Sequence, residues 1–127
     1  MYKHILIPTD GSALSETAIR QGVALARSLN AKVTAITAFP NFRTFAVEPM
    51  MLTDTPEQYR RDCETLGAKY LDVAREAARL AGVQCQTIQV VSDHPYEAII
   101  DAARAQGCDL ILMASHGRKG VSALVLG

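Results

Sequence analysis

Short apolar runs and longer stretches with apolar residues at helical spacing take turns along this chain, and that alternation leaves few architectures open. His4-Ile5-Leu6-Ile7-Pro8 is a brief continuous apolar run, the pattern of a strand buried on both faces. Asp10-Gly11-Ser12 follows as a turn that also caps a helix, and from Ala13 to Leu29 the residues Leu14, Ala18, Val23, Ala26 and Leu29 recur near helical spacing. Asn30 suits a left-handed helix end, and Lys32 to Ala38 reads as a second strand rich in β-branched residues.

The pattern then dissolves from Phe39 to Asp54, where Pro40 and Pro49 block regular structure. Such a long connection is uncommon in a compact domain. Its apolar content (Phe42, Phe45, Val47, Met50, Met51, Leu52) does not suit a solvated tail. It either covers the core, folds over a functional site or packs on a partner subunit. Thr55-Pro56-Glu57-Gln58 is a helix start: Thr55 caps, Pro56 takes the first helical position and Gln58 completes a capping box. The expected apolar stripe runs through Leu66, Tyr70, Val73 and Ala77 to Leu80, and Gly82 closes the helix. Thr87 to Val91 reads as a third strand, and Asp93-His94-Pro95 opens a helix bearing Ala98, Ile99, Ala102 and Ala103 that Gly107 ends. Asp109 to Ala114 is a fourth strand, Ser115 to Gly120 a polar turn, and Val121 to Leu126 the expected start of another helix.

The expected fold class is therefore α/β: a doubly wound parallel sheet with helices on both faces. A strand order of 3-2-1-4 would put the loops after the first and fourth strands on either side of the point where strand order reverses, where such sheets bind ligands. The chain's 127 residues suit one domain. Thirteen basic residues balance thirteen acidic ones, giving no electrostatic reason to expect nucleic acid or an anionic membrane as partner. The cysteines, Cys63, Cys85 and Cys108, are an odd and scattered set, reading as reduced thiols rather than a disulfide framework or a zinc site. The start is too brief in apolar length for a signal peptide, and no apolar run approaches the ~20 residues of a membrane span, so a cytoplasmic location is expected.

The Ser115-His116-Gly117-Arg118-Lys119-Gly120 loop has the ingredients of a phosphate cradle. Glycines let backbone N–H groups approach an anion, a following helix would point its positive end there, Arg118 and Lys119 add charge and Ser115 a hydroxyl. Asp10 has two readings, a ligand contact or a turn-forming cap of the first helix.

Pro8-Thr9-Asp10-Gly11-Ser12 after the first strand, together with Met113 to Gly120 after the fourth, resembles the universal stress protein family, and the likeness spans the whole chain. ATP-binding members of that family carry a G-x2-G-x9-G pattern followed by Ser or Thr. Here Gly117 matches the second glycine, and nine residues, Arg118 to Leu126, separate it from Gly127, which matches the third. Ala114 stands at the first. Its methyl is harmless if the position is an ordinary strand end and weakens binding if the backbone there must be left-handed. The family usually continues for about one more helix and a fifth strand, so the chain reads as a C-terminally incomplete copy of a single domain. That last strand commonly pairs across a dimer interface, which implies a homodimer for the full-length protein.

The resemblance implies a stress-response or regulatory protein that binds ATP or another adenine nucleotide, with Mg²⁺ arriving on a triphosphate rather than held by a dedicated protein site. Asp10 would then bond the nucleoside, Thr9 and Ala38 would meet adenine through backbone groups, and Met113 would pack near sugar or base. Ala114, Ser115, His116, Gly117, Arg118 and Gly127 would surround the phosphates. His116 has no recognisable nucleophile beside it, and nothing supplies an arginine finger or a positioned base, so at most weak ATP hydrolysis is expected. The competing reading is a member that has lost ATP and serves as a dimeric protein-interaction module. An ATP-pyrophosphatase would want an SGGxDS loop where Thr9-Asp10-Gly11-Ser12 stands, and a phosphoacceptor receiver domain a lysine-bearing fifth strand.

Overall fold

Continuous apolar strands leave both sheet faces in need of cover, while their backbone N–H and C=O groups must pair with one another. The computed structural model, which describes residues 1–42, 55–114 and 124–126, meets both demands with one sheet in the order β3-β2-β1-β4-β5. The strands are β1 (His4–Pro8), β2 (Lys32–Phe39), β3 (Cys85–Val91), β4 (Leu110–Met113) and β5 (Leu124–Leu126), and the helices are α1 (Ala13–Leu29), α2 (Pro56–Ala81) and α3 (Pro95–Gln106). β1 pairs in parallel with both β2 and β4, and β2 pairs in parallel with β3. The parallel order is the expected 3-2-1-4, with strand order reversing between β1 and β4.

Each sheet face has its own core. Ile5, Ile7, Val33, Ala35, Leu110 and Leu112 pack under α1 and α2, whereas Leu6 and Ile36 meet Ile99 and Ala103 of α3. Ile5, Leu6 and Ile7 are wholly buried, and each such side chain contributes about 1.5–3 kcal/mol relative to exposure. α1 lies close on β1 because Gly22 leaves room for the Ile7 side chain.

Three local expectations are corrected. Residues 124–126, expected to continue a helix from Val121, form β5, antiparallel to β4 with Leu112 opposite Val125. β4 presents an open edge of unpaired backbone groups, and a short apolar run containing β-branched Val125 can satisfy them. The buried stripe of α2 is Tyr59, Cys63, Gly67, Leu71, Ala74 and Ala78, not the one through Leu66 and Leu80, which stay exposed. In a 26-residue helix rich in alanine, two neighbouring stripes have similar apolar content, and packing against β2 and β3 selects between them. Finally, Thr55 accepts a hydrogen bond from Gln58 N at 3.1 Å, but Gln58 Nε2 donates to Asp62 instead of closing a capping box.

Candidate functional site

Because every parallel strand ends on the same edge, the loops after β1, β2 and β4 converge there. Between them lies a cavity of ≈ 300 Å³. Pro8, Thr9 and Asp10 line it from β1, Ile36 and Ala38 from β2, Met113 and Ala114 from β4, Ser12, Leu14 and Ser15 from the start of α1, and Pro95, Tyr96 and Ile99 from α3. Leu6, Ile36 and Ile99 belong to the α3-side core. Pro8 and Ala38 lie two residues beyond Leu6 and Ile36 and so share their face. The cavity continues that core past the ends of the strands.

The β1 loop is held by a compact hydrogen-bond cluster. Asp10 Oδ1 accepts from Ser12 N at 2.9 Å and from Ser15 Oγ at 2.6 Å, and Ser12 Oγ caps α1 by accepting from Ser15 N at 3.1 Å. Gly11 N donates to Thr9 Oγ1 at 3.2 Å. Gly11 itself adopts φ +80°, and a Cβ there would run into the Tyr70 ring. Tyr70 also stacks on Phe39, with ring centroids 6.2 Å apart. Burial works to raise the Asp10 carboxyl pKa, but the hydrogen bonds from Ser12 and Ser15 outweigh it and hold the group below its ordinary value. Asp10 is thus an ionised turn-former, with Ser12 rather than Asp10 as the helix cap. Both bonds from Ser12 N and Ser15 Oγ end on Oδ1, so Oδ2 keeps acceptor capacity for a further donor.

β2 outruns β1. Thr9 N donates to Ile36 O at 2.8 Å, which closes the β1–β2 ladder. Two residues on, Ala38 turns its backbone N–H and C=O to the same side, where β1 no longer runs. Thr9 therefore has only its carbonyl to offer a ligand from the main chain, while Ala38 has both groups.

Ala114 takes no positive φ, since Asn30 is the one non-glycine residue that does among those described. Its side chain packs against the α1-side core. The methyl sits at an ordinary strand end, and the replacement of glycine brings no backbone strain.

Of the site residues expected from the sequence, Thr9, Asp10, Ala38, Met113 and Ala114 are gathered around the cavity. Ser115, His116, Gly117, Arg118 and Gly127 lie outside the described residues, as does most of the 39–54 stretch. The sequence reading missed Ser15, the buried hub of the β1 loop, and the contribution of α3 through Pro95, Tyr96 and Ile99. The Ser12-x-x-Ser15 spacing signalled the first. The second had no local signal, because it arises from how α3 crosses the sheet. No group of three or more residues that could hold a metal ion occurs among the described residues.

The sequence model of the universal stress protein family matches residues 1–127. The chain belongs to this family. Universal stress protein YxiE of Bacillus subtilis is 30% identical over 134 residues, covering 100% of this chain and 88% of that protein. Among solved structures, a universal stress protein from Burkholderia pseudomallei superposes with a TM-score of 0.67 at 25% identity, covering 91% of this chain and 83% of its own. Two further structures of the same fold hold nucleotides. The universal stress protein from Archaeoglobus fulgidus in complex with dAMP has a TM-score of 0.63 at 18% identity, covering 88% and 80%. A universal stress protein in complex with cAMP has a TM-score of 0.57 at 22% identity, covering 87% and 70%. No helix among the described residues of this universal stress protein is long and apolar enough to cross a membrane.

Proposed function

We propose that this universal stress protein binds an adenine nucleotide, ATP in the first instance, in the cavity at the carboxyl edge of the sheet and serves as a regulatory stress-response protein rather than an efficient enzyme. The observation that carries the reading is the pairing, in one apolar cavity, of Ala38 backbone groups left over where β1 stops with the ionised Asp10. A flat apolar base with hydrogen-bonding edges suits the Ala38 end, and a sugar hydroxyl suits Asp10 Oδ2. A volume of ≈ 300 Å³ lies at the small end of the ~300–1,000 Å³ typical of small-molecule sites, right for a nucleoside whose phosphates lie outside it. Relatives of the same fold hold dAMP and cAMP. The phosphates would run toward Ser115–Arg118 and Gly127, whose glycine spacing matches the family's nucleotide motif.

Asp10→Asn tests the reading, because an amide oxygen can still hold the β1 turn while the charge is gone. Calorimetric titration with ATP or AMP is expected to show a loss of about 1.5–3 kcal/mol, the contribution of a hydrogen bond to a charged group, with the fold's thermal stability little changed. Full affinity in this variant would remove Asp10 from the site, and a wild-type protein that yields no nucleotide on acid extraction and binds none at millimolar concentration would sink the proposal. The alternative is a nucleotide-free, dimeric interaction module. What favoured it was Ala114, whose backbone shows no left-handed strain.

A further inference from the structure

Tyr96 is the one large side chain of the cavity wall that stands mainly in solvent, at 71% exposure. An exposed aromatic of this size is unremarkable when solitary on a surface, but this one sits on the rim of a concave apolar site. Its position is set by the chain rather than by chance mobility: Pro95 occupies the first turn of α3, and Ile99 on the same helix is buried against Leu6 and Ile36. Among the described residues, the other aromatics near this edge are already engaged. Phe39 stacks on Tyr70, and Phe42 packs at a tilt against Tyr59, with centroids 6.2 and 5.7 Å apart. Tyr2, the remaining exposed ring among the described residues, precedes β1 at the opposite edge of the sheet. On the α1 side of the cavity the rim is Leu14, 39% exposed, which offers apolar contact but no π face.

We infer that Tyr96 is the cover of the base subsite, stacking its ring on the outward face of an adenine whose edge meets the Ala38 backbone. The inference rests on the proposed nucleotide site and names the residue that selects a planar base within it. A tyrosine has two side-chain torsions, so fixing it on a ligand costs little entropy for the area it covers. Every nucleobase has a π face, so the contact strengthens binding of any base, while the Ala38 edge discriminates among them.

Wild type, Tyr96→Ala and Tyr96→Phe are titrated calorimetrically with adenosine, AMP and ATP. Stacking reads the base alone, so Tyr96→Ala should lose roughly 5- to 150-fold in affinity, by a similar factor for all three ligands. Tyr96→Phe should bind as wild type does, and the unliganded Tyr96→Ala protein should keep its unfolding midpoint because the ring is exposed. The chain contains no tryptophan, so Tyr96→Trp supplies a single fluorophore whose emission adenosine should quench saturably. Undiminished adenosine binding by Tyr96→Ala, or a loss confined to the phosphate-bearing ligands, overturns the stacking role while leaving the nucleotide site standing. A wild-type protein that binds none of the three overturns both.

Discussion

Single side chains in this protein act mostly by where they leave hydrogen-bonding capacity. Ser15, 4% exposed, is marked in the sequence by no more than its spacing from Ser12, yet its hydroxyl donates to Asp10 and its backbone N–H to Ser12. It is what turns a flexible Asp-Gly-Ser turn into a fixed wall of the cavity. His4 has the opposite character, a titratable side chain with a structural role. It is 3% exposed and its Nε2 lies 2.6 Å from Thr34 Oγ1. Burial, aided by the charge of Lys32, lowers its pKa from the ordinary 6.5. The unfolded chain therefore takes up a proton below pH 6.5 that the folded chain resists, so stability present above 6.5 is lost as pH falls toward the folded value. The slope is at most about 1.4 kcal/mol per pH unit for one proton. Asp10 and Asp109, both held below their ordinary 3.8, contribute a separate loss that begins only below that pH. Urea unfolding at pH 7.5 and 5.5 should show a stability drop in the wild type that His4→Gln largely removes. An equal drop in both proteins would show that His4 is not the group responsible.

Helices and strands meet here through close contacts that the chain's small residues permit. Gly22 of α1 faces β1, and an added Cβ would collide with Ile7 Cδ1, with Leu112 Cδ2 also in reach at 3.7 Å. Ile7 is wholly buried, so its side chain has little room to withdraw. Gly22→Ala is accordingly expected to destabilise by about 1–3 kcal/mol through overpacking, despite alanine's better helix propensity. Chemical unfolding measures this directly, and a neutral or stabilised Gly22→Ala would mean that α1 can ride up from the sheet at no cost. The helix boundaries themselves were legible: Thr55, Asn30, Gly82 and Gly107 all sit at the predicted caps, and the Asp10-Gly11-Ser12 turn launches α1 where expected, with Ser12 instead of Asp10 as the cap. The buried face of α2 was not, since Leu66 and Leu80 look as apolar in sequence as Leu71 does and only contact with the sheet separates them. β5 escaped prediction for a related reason. Three apolar residues carry no period of their own, and the open edge of β4 decides their state.

The molecule as a whole arranges its cavity where strand order reverses, and it ties the surrounding loops together from several directions. Asn41 donates from N and Nδ2 to the two oxygens of Asp93 at 3.0 and 2.9 Å, while Ser92 N donates to Phe39 O at 2.8 Å. The root of the long 39–54 connection is thereby fastened to the turn that launches α3 and Tyr96. Tyr59 Oη adds a bond to Pro40 O at 2.5 Å. The proposed nucleotide, held between these elements, would bind the folded chain and not the unfolded one and so stabilise the whole domain. At a ligand concentration of 100 times Kd the gain is about 2.7 kcal/mol, which at just under ~4 °C per kcal/mol for a domain of this size raises Tm by about 10 °C. Thermal unfolding with and without AMP measures it, and an unmoved midpoint at saturating ligand would contradict a site that requires the folded sheet.

The parallel sheet could be read from the chain, because alternating periodicities dictate helical crossovers and crossovers bring all strand ends to one edge. The positions Thr9, Asp10, Ala38, Met113 and Ala114 were implied by the family resemblance of the two motifs after the first and fourth strands. Local pattern carries the fold class, since the four parallel strands and three helices each announce their own type. Which face of α2 is buried, that residues 124–126 extend the sheet, that Ala114 escapes left-handed strain and that α3 brings Tyr96 to the cavity were settled by packing. Those outcomes depend on contacts between residues far apart in sequence, and no local period records them.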